Sequence, residues 1–127
     1  MINGSTESNS NMIKKFTYEE SLIRIFSDRT YDINLDRAEP VRKIILVDNI
    51  LIVIFERNRR NIIALNEHGK ELWRIEDIRI TDRLSKEAGG PYSNIYLDKE
   101  GNLWCFNSIG EDHRVDPQTG AILEHEY

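Results

Sequence analysis

The sequence predicts an all-β chain of two antiparallel four-stranded units, packed as a small open sheet or sandwich, with at most one short helix. Three observations predict it. Apolar residues recur at every second position through the readable segments, as in strands with one buried face. Turn chemistry interrupts them at Asp48-Asn49, Gly69, Gly101 and Gly120. A phrase spanning 61–73 is echoed at 112–124, with Gly69 and Gly120 about fifty residues apart, a spacing typical of stacked repeats.

Residues 1–11 are rich in Asn and Ser, lack a basic segment followed by an apolar one, and read as a disordered leader. The rest, 12–127, reads as one β domain. Within 12–42, Leu22 to Phe26 and Tyr31 to Leu35 alternate around Ser27-Asp28-Arg29-Thr30 as an opening hairpin. The first unit covers 43–75. Its runs Lys43 to Val47 and Ile50 to Phe55 are almost continuously aliphatic, which suggests strands covered on both faces. Asp48-Asn49 suits a two-residue turn because both residues tolerate positive φ. Gly69 supplies the left-handed position of the next turn, and Trp73 falls on the returning strand. The connector 76–91 is open between a short helix over 81–87, capped by Thr81 or Asp82 and stopped by Gly89-Gly90, and a mobile loop. The second unit covers 92–127.

The stretch Ile62 to Ile75 resembles the repeat of pyrroloquinoline-quinone-type β-propellers, in which a short Asp/Asn-Gly turn leads into a strand reading Gly-Lys-x-x-Trp. Asn66, Gly69, Lys70, Leu72 and Trp73 match it. The second copy matches through Asp116, Thr119 and Gly120, but Glu124 stands where the Trp would be. The resemblance implies blade geometry and not the quinone, whose site in those enzymes is the axis of a complete ring. Two units cannot close a ring of about four or more blades. No cofactor and no metal is expected.

Chemistry-bearing motifs are absent. There is no Walker loop, dinucleotide glycine pattern or serine-nucleophile elbow. The single cysteine, Cys105, lies in a strand phrase and reads as a buried inert thiol. His68, His113 and His125 have no metal-ligand spacing and read as exposed imidazoles. A pairing of His113 with Glu111 or Glu124 rests on no motif. These observations argue against an enzyme. The basic loop Arg57, Asn58, Arg59, Arg60 is the one cluster suited to phosphate, in an acidic chain that disfavours nucleic acid. The longest greasy stretch, 44–55, is too short for a bilayer span, so the expected location is cytoplasmic.

Charge is unevenly placed. Residues 1–86 carry fourteen acids and fifteen bases, net +1, whereas 87–127 carry eight acids against Lys99 and Arg114, net −6. An acidic surface keeps a protein soluble without any partner; it also attracts a basic one. Under the second reading Glu111, Asp112, Asp116, Glu124 and Glu126 form the patch, with Tyr92, Tyr96, Trp104 or Tyr127 as aromatic anchors. In size and charge the chain is similar to bacterial toxin-immunity proteins. That resemblance implies a monomer or 1:1 heterodimer that occludes the basic cleft of a toxin domain, such as a nuclease. The rival expectation is a ligand-binding or catalytic propeller fragment completed by oligomerisation.

Overall fold

A computed structural model describes residues 11–28, 33–57, 60–76, 91–108 and 110–126. Residues 1–10 of the leader expected over 1–11, residues 77–90 of the connector, parts of three loops (29–32, 58–59 and 109) and Tyr127 lie outside them; Asn11, expected in the leader, is buried. The described residues are all strand and turn, arranged in three antiparallel meanders. The first sheet holds β1 (Ile13–Glu19), β2 (Leu22–Ser27) and β3 (Ile33–Asp36). The second holds β4 (Val41–Val47), β5 (Ile50–Phe55), β6 (Ile62–Leu65) and β7 (Glu71–Arg74). The third holds β8 (Tyr92–Leu97), β9 (Leu103–Asn107), β10 (Asp112–Val115) and β11 (Ile122–Glu126). None closes into a barrel, and the all-β architecture of open, blade-like units agrees with the sequence. The opening hairpin forms as β2 and β3, and an unforeseen strand, β1, precedes it.

The sheets stack in chain order, and the second sheet is the middle layer. Strand β5 shows why. Ile50, Ile52 and Ile54 pack with the third sheet, Leu51, Val53 and Phe55 with the first, and all six are 5% exposed or less. Period-two alternation across a strand with no solvent face yields the continuous aliphatic run. Each such side chain contributes about 1.5–3 kcal/mol on burial. A partly exposed ion pair such as Arg37–Glu71, 2.8 Å between the first and second sheets, contributes about 0–1 kcal/mol. Apolar packing therefore decides the stacking.

The turns repeat one device. Asn66 Oδ1 accepts the backbone N–H of His68 and Lys70, and Asp98 Oδ1 accepts those of Glu100 and Asn102. Asp116 Oδ1 accepts that of Gln118. A glycine with positive φ closes each: Gly69, Gly101 and Gly120. Asp48 and Asn49 both take positive φ, at 50° and 61°, as a two-residue hairpin turn requires. Asn49 also reaches back to the first sheet, accepting Ile13 N–H at 2.7 Å and donating to Asn11 O at 3.0 Å.

Joints between sheets repeat too. A Cβ on Gly120 would lie 2.5 Å from Trp73 Cδ2, and one on Gly69 would lie 2.9 Å from Leu35 Cδ1. Each turn between the third and fourth strands of a sheet thus sits on the last strand of the sheet before it. At the other end of the stack, Tyr92 N–H donates to Asn61 Oδ1 and Val41 N–H donates to Glu20 O. The first strands of the second and third sheets are therefore held by the loops that follow β1 and β5. By both criteria β1, β2 and β3 correspond to β5, β6 and β7. Among the described residues the first sheet has no counterpart of β4 or β8.

Replacing Gly120 with Ala should destabilise the protein by about 2–4 kcal/mol, combining a positive-φ penalty with overpacking against Trp73. Gly101, at φ 85° with open space around its Cβ position, should cost about 1–2 kcal/mol when replaced by Ala. Urea denaturation of the two variants checks the difference.

Candidate partner-binding face

Strand register sorts the candidate residues of the third sheet onto two sides. On the side facing the second sheet, His113 sits opposite Cys105, next to Val115 opposite Leu103. His113 is 0% exposed, which corrects the expectation of an exposed imidazole. Alternation with Val115 forces it inward, and the site satisfies both ring nitrogens. Tyr92 Oη lies 2.7 Å from Nδ1 and Glu111 Oε1 lies 3.2 Å from Nε2. A proton on Nε2, donated to the carboxylate, leaves Nδ1 to accept the phenol, and this tautomer follows from the network. Asn107 Nδ2 also donates to Glu111 Oε1, and Asn107 Oδ1 accepts Glu111 N–H. Glu111 and Tyr92 are buried members of this joint, not of an outer patch. Cys105 is buried beside them, and its thiol is pushed far up by burial, with the Asp112 charge adding to the effect. Such a thiol is a poor nucleophile.

The opposite side carries two cross-strand rows. Tyr96, Trp104, Arg114 and Glu124 are successive register partners across β8, β9, β10 and β11. Asn94, Phe106, Asp112 and Glu126 form the second row. Tyr96 Oη donates to Asp112 Oδ1 at 2.9 Å, Trp104 Nε1 donates to Asp98 Oδ2 at 2.8 Å, and Arg114 pairs with Glu124. Trp104 is only 9% exposed, so it is a floor for this face more than a protruding anchor. Asp116 lies outside both rows, committed to the turn that carries Gly120.

The same rows in the second sheet have a different composition. Ile45, Ile52, Ala64 and Trp73 occupy the positions of Tyr96, Trp104, Arg114 and Glu124. There the row is apolar and packs on the third sheet, with Trp73 Nε1 donating to Pro117 O at 2.8 Å. In the third sheet two charges replace Ala64 and Trp73. The loop position also changes: Asn61, which joins the Tyr92 backbone through N–H and C=O, is matched by Glu111, which turns back onto Asn107 and His113. These two joints between the second and third sheets are thus replaced at the far side of the third, while Lys43 adds a further link from β4 to Asn94 Oδ1 and Ile95 O.

Elsewhere, Arg60 of the basic loop donates to Ile75 O and its own carbonyl accepts from Arg74, so it is occupied in the fold. Asn58 and Arg59 lie outside the described residues, as do the side chains of His125, Glu126 and Tyr127. No helix among the described residues is long and apolar enough to cross a membrane.

The family model described as a domain of unknown function, DUF7957, matches residues 12–127. This chain belongs to the DUF7957 family. A search of curated proteins gives no match. Among solved structures, the computationally designed Ika8 protein is similar with a TM-score of 0.52 and 12% identity, over 90% of this chain and 36% of its own. The C-terminal WD40 domain of Sif2 is similar with a TM-score of 0.51 and 12% identity, over 84% of this chain and 31% of its own. Identity this low shows the fold alone. A WD40 domain is a β-propeller, so the DUF7957 chain has the fold of consecutive propeller blades and spans about a third of those two proteins.

Asp98 is the titrating group most tied to this face. The Trp104 indole N–H holds its carboxyl below the ordinary 3.8; desolvation opposes this, and hydrogen bonds from Asn102 and the Glu100 N–H add to the lowering. The Ser21 hydroxyl and the Ala38 N–H do the same for Asp36 in the first sheet. A depressed folded pKa stabilises the fold above the unfolded value and loses that stabilisation as pH falls through the folded one. Urea midpoints from about pH 5 to pH 2 should therefore fall, and Asp98→Asn should flatten part of that fall.

Proposed function

We propose that this protein is a binding protein that acts through the outer face of its third sheet, with a basic protein surface as partner. The observation that carries this reading is the change of composition between equivalent rows, from Ile45-Ile52-Ala64-Trp73 to Tyr96-Trp104-Arg114-Glu124. A sheet that ended the stack for solubility alone needs only a polar face. This one combines carboxylates at Asp112 and Glu124 with the aromatic residues Tyr96, Trp104 and Phe106. That combination suits an interface in which charge steers the encounter and ring surface supplies the desolvated centre.

In its most specific form the proposal is an immunity protein of the cytoplasm. Asp112, Glu124 and Glu126 would enter the basic substrate cleft of a toxin nuclease in place of phosphate, without covalent chemistry. Ring completion by further copies has less support. Two of the links that fasten the second sheet to the third, Asn61 and Trp73, have become Glu111 and Glu124 where a further blade would dock. The likeness to quinone-type repeats extends to the turn chemistry, and we assign no quinone.

The test is co-expression with the product of the adjacent gene, followed by affinity and nuclease measurements. A tight, salt-sensitive 1:1 complex is expected, with Asp112→Lys and Glu124→Lys each weakening it about tenfold at low salt. Glu111→Gln should act on stability and leave binding by the folded protein unchanged. Binding indifferent to both charge reversals would remove the proposed face.

A further inference from the structure

Among the described residues, the first sheet has no strand in the innermost position that β4 and β8 fill in the other two. Strand β5 is flanked by β4 and β6, and β9 by β8 and β10, whereas β1, their counterpart, pairs with β2 and ends the sheet. The exposure pattern follows from this. Every residue of β5 is buried, but most of β1 is exposed, including Tyr18 at 39%. From the geometry we infer that the free edge of β1 is a docking site for an extended segment of a partner protein, which adds as the missing innermost strand.

The two halves of this edge differ. A bulge lies between Ile13 and Lys15, Asn49 takes the Ile13 N–H, and Lys14 pairs with Asp28 at 3.6 Å. Bulges and lysines are the usual guards of an edge against strand pairing. They stop at Lys15. From Phe16 to Glu19 the pairing with β2 runs in unbroken register, from Ile25 to Leu22. Beside this second half lies a depression of about 200 Å³ lined by Thr17, Tyr18, Glu19, Leu22 and Arg24, with Leu22 40% exposed.

The edge specifies its occupant. Phe16 and Tyr18 are register partners of Ile25 and Ile23, which face the second sheet, so side chains of an added strand on that side meet apolar surface. Lys15, Thr17, Glu19 and Arg24 lie on the other side, with Lys15 and Arg24 both over the Phe26 ring; this side is polar with two cations against one carboxylate, which favours polar or acidic residues there. An extended segment with apolar and acidic or polar residues in alternation fits both. Main-chain hydrogen bonds supply affinity in such strand addition, and the alternate side chains supply selectivity. The site lies on the first sheet, away from the rows of the third, and does not depend on the partner proposed for them.

A peptide copying the innermost strand of the third sheet, residues 91–98, is the probe. Titrated into the full-length, isotopically labelled protein, it should shift the amide resonances of Phe16–Glu19 and slow their hydrogen exchange about tenfold or more. The same peptide N-methylated at every backbone amide should do neither, because neither of its edges can then approach β1 and pair. Tyr18→Ala should weaken the complex about tenfold, and the Asp112→Lys and Glu124→Lys variants should bind the peptide as the parent does. The inference is overturned if millimolar peptide leaves Phe16–Glu19 unshifted, if the methylated peptide binds equally, or if the shifts map to the third sheet.

Discussion

Strand β5 has no solvent side, and the rest of the molecule is arranged to keep it so. A twisted antiparallel sheet can leave one face in water, but six consecutive aliphatic and aromatic residues from Ile50 to Phe55 expose apolar surface on both faces. The first sheet covers Leu51, Val53 and Phe55; the third covers Ile50, Ile52 and Ile54. A stack of three is the smallest arrangement that buries this strand. Among the described residues, the chain uses propeller-type stacking in three open sheets, and each outer sheet packs against the middle one through one face.

Free faces explain where the repeat changes. Positions that are Ala64 and Trp73 between sheets become Arg114 and Glu124 on the last sheet, because a large apolar ring there would have no layer to meet. The inward positions change in kind as well. His113 and Glu111 are polar yet buried, and they are tolerated because Tyr92 and Asn107 satisfy them. Burying such groups without partners would cost several kcal/mol.

Much of this was legible in the sequence, through particular residues. The turn at Asp48-Asn49 and the doubled phrase located six of the eight strands of the second and third sheets, and the aliphatic runs identified the doubly covered core. Strand β1 was not legible, because an edge strand bearing Lys14, Lys15, Thr17 and Glu19 lacks a clean alternation. Part of the third sheet was misread for a different reason. Aligning Gly69 with Gly120 hides one extra residue in the second turn, so that His113 is matched to Ile62 when its structural counterpart is Ile63. A slip of one residue exchanges the faces of a strand. The alternation of His113 with Val115 was the signal that placed the imidazole inward. Glu111 and Asn61 gave no such signal, since their roles depend on loop geometry that sequence spacing does not encode.

Synthesis from the N-terminus gives the doubly covered strand a temporal consequence. When the first two sheets have left the ribosome, the rear face of β5 can already be shielded, but its forward face must wait for residues 92–126. Until then Ile45, Ile52, Ala64 and Trp73 form a bare apolar patch next to a β-prone, Ile-rich hairpin. Nascent chains at this stage have the exposed surface that chaperones recognise and that neighbouring chains adhere to.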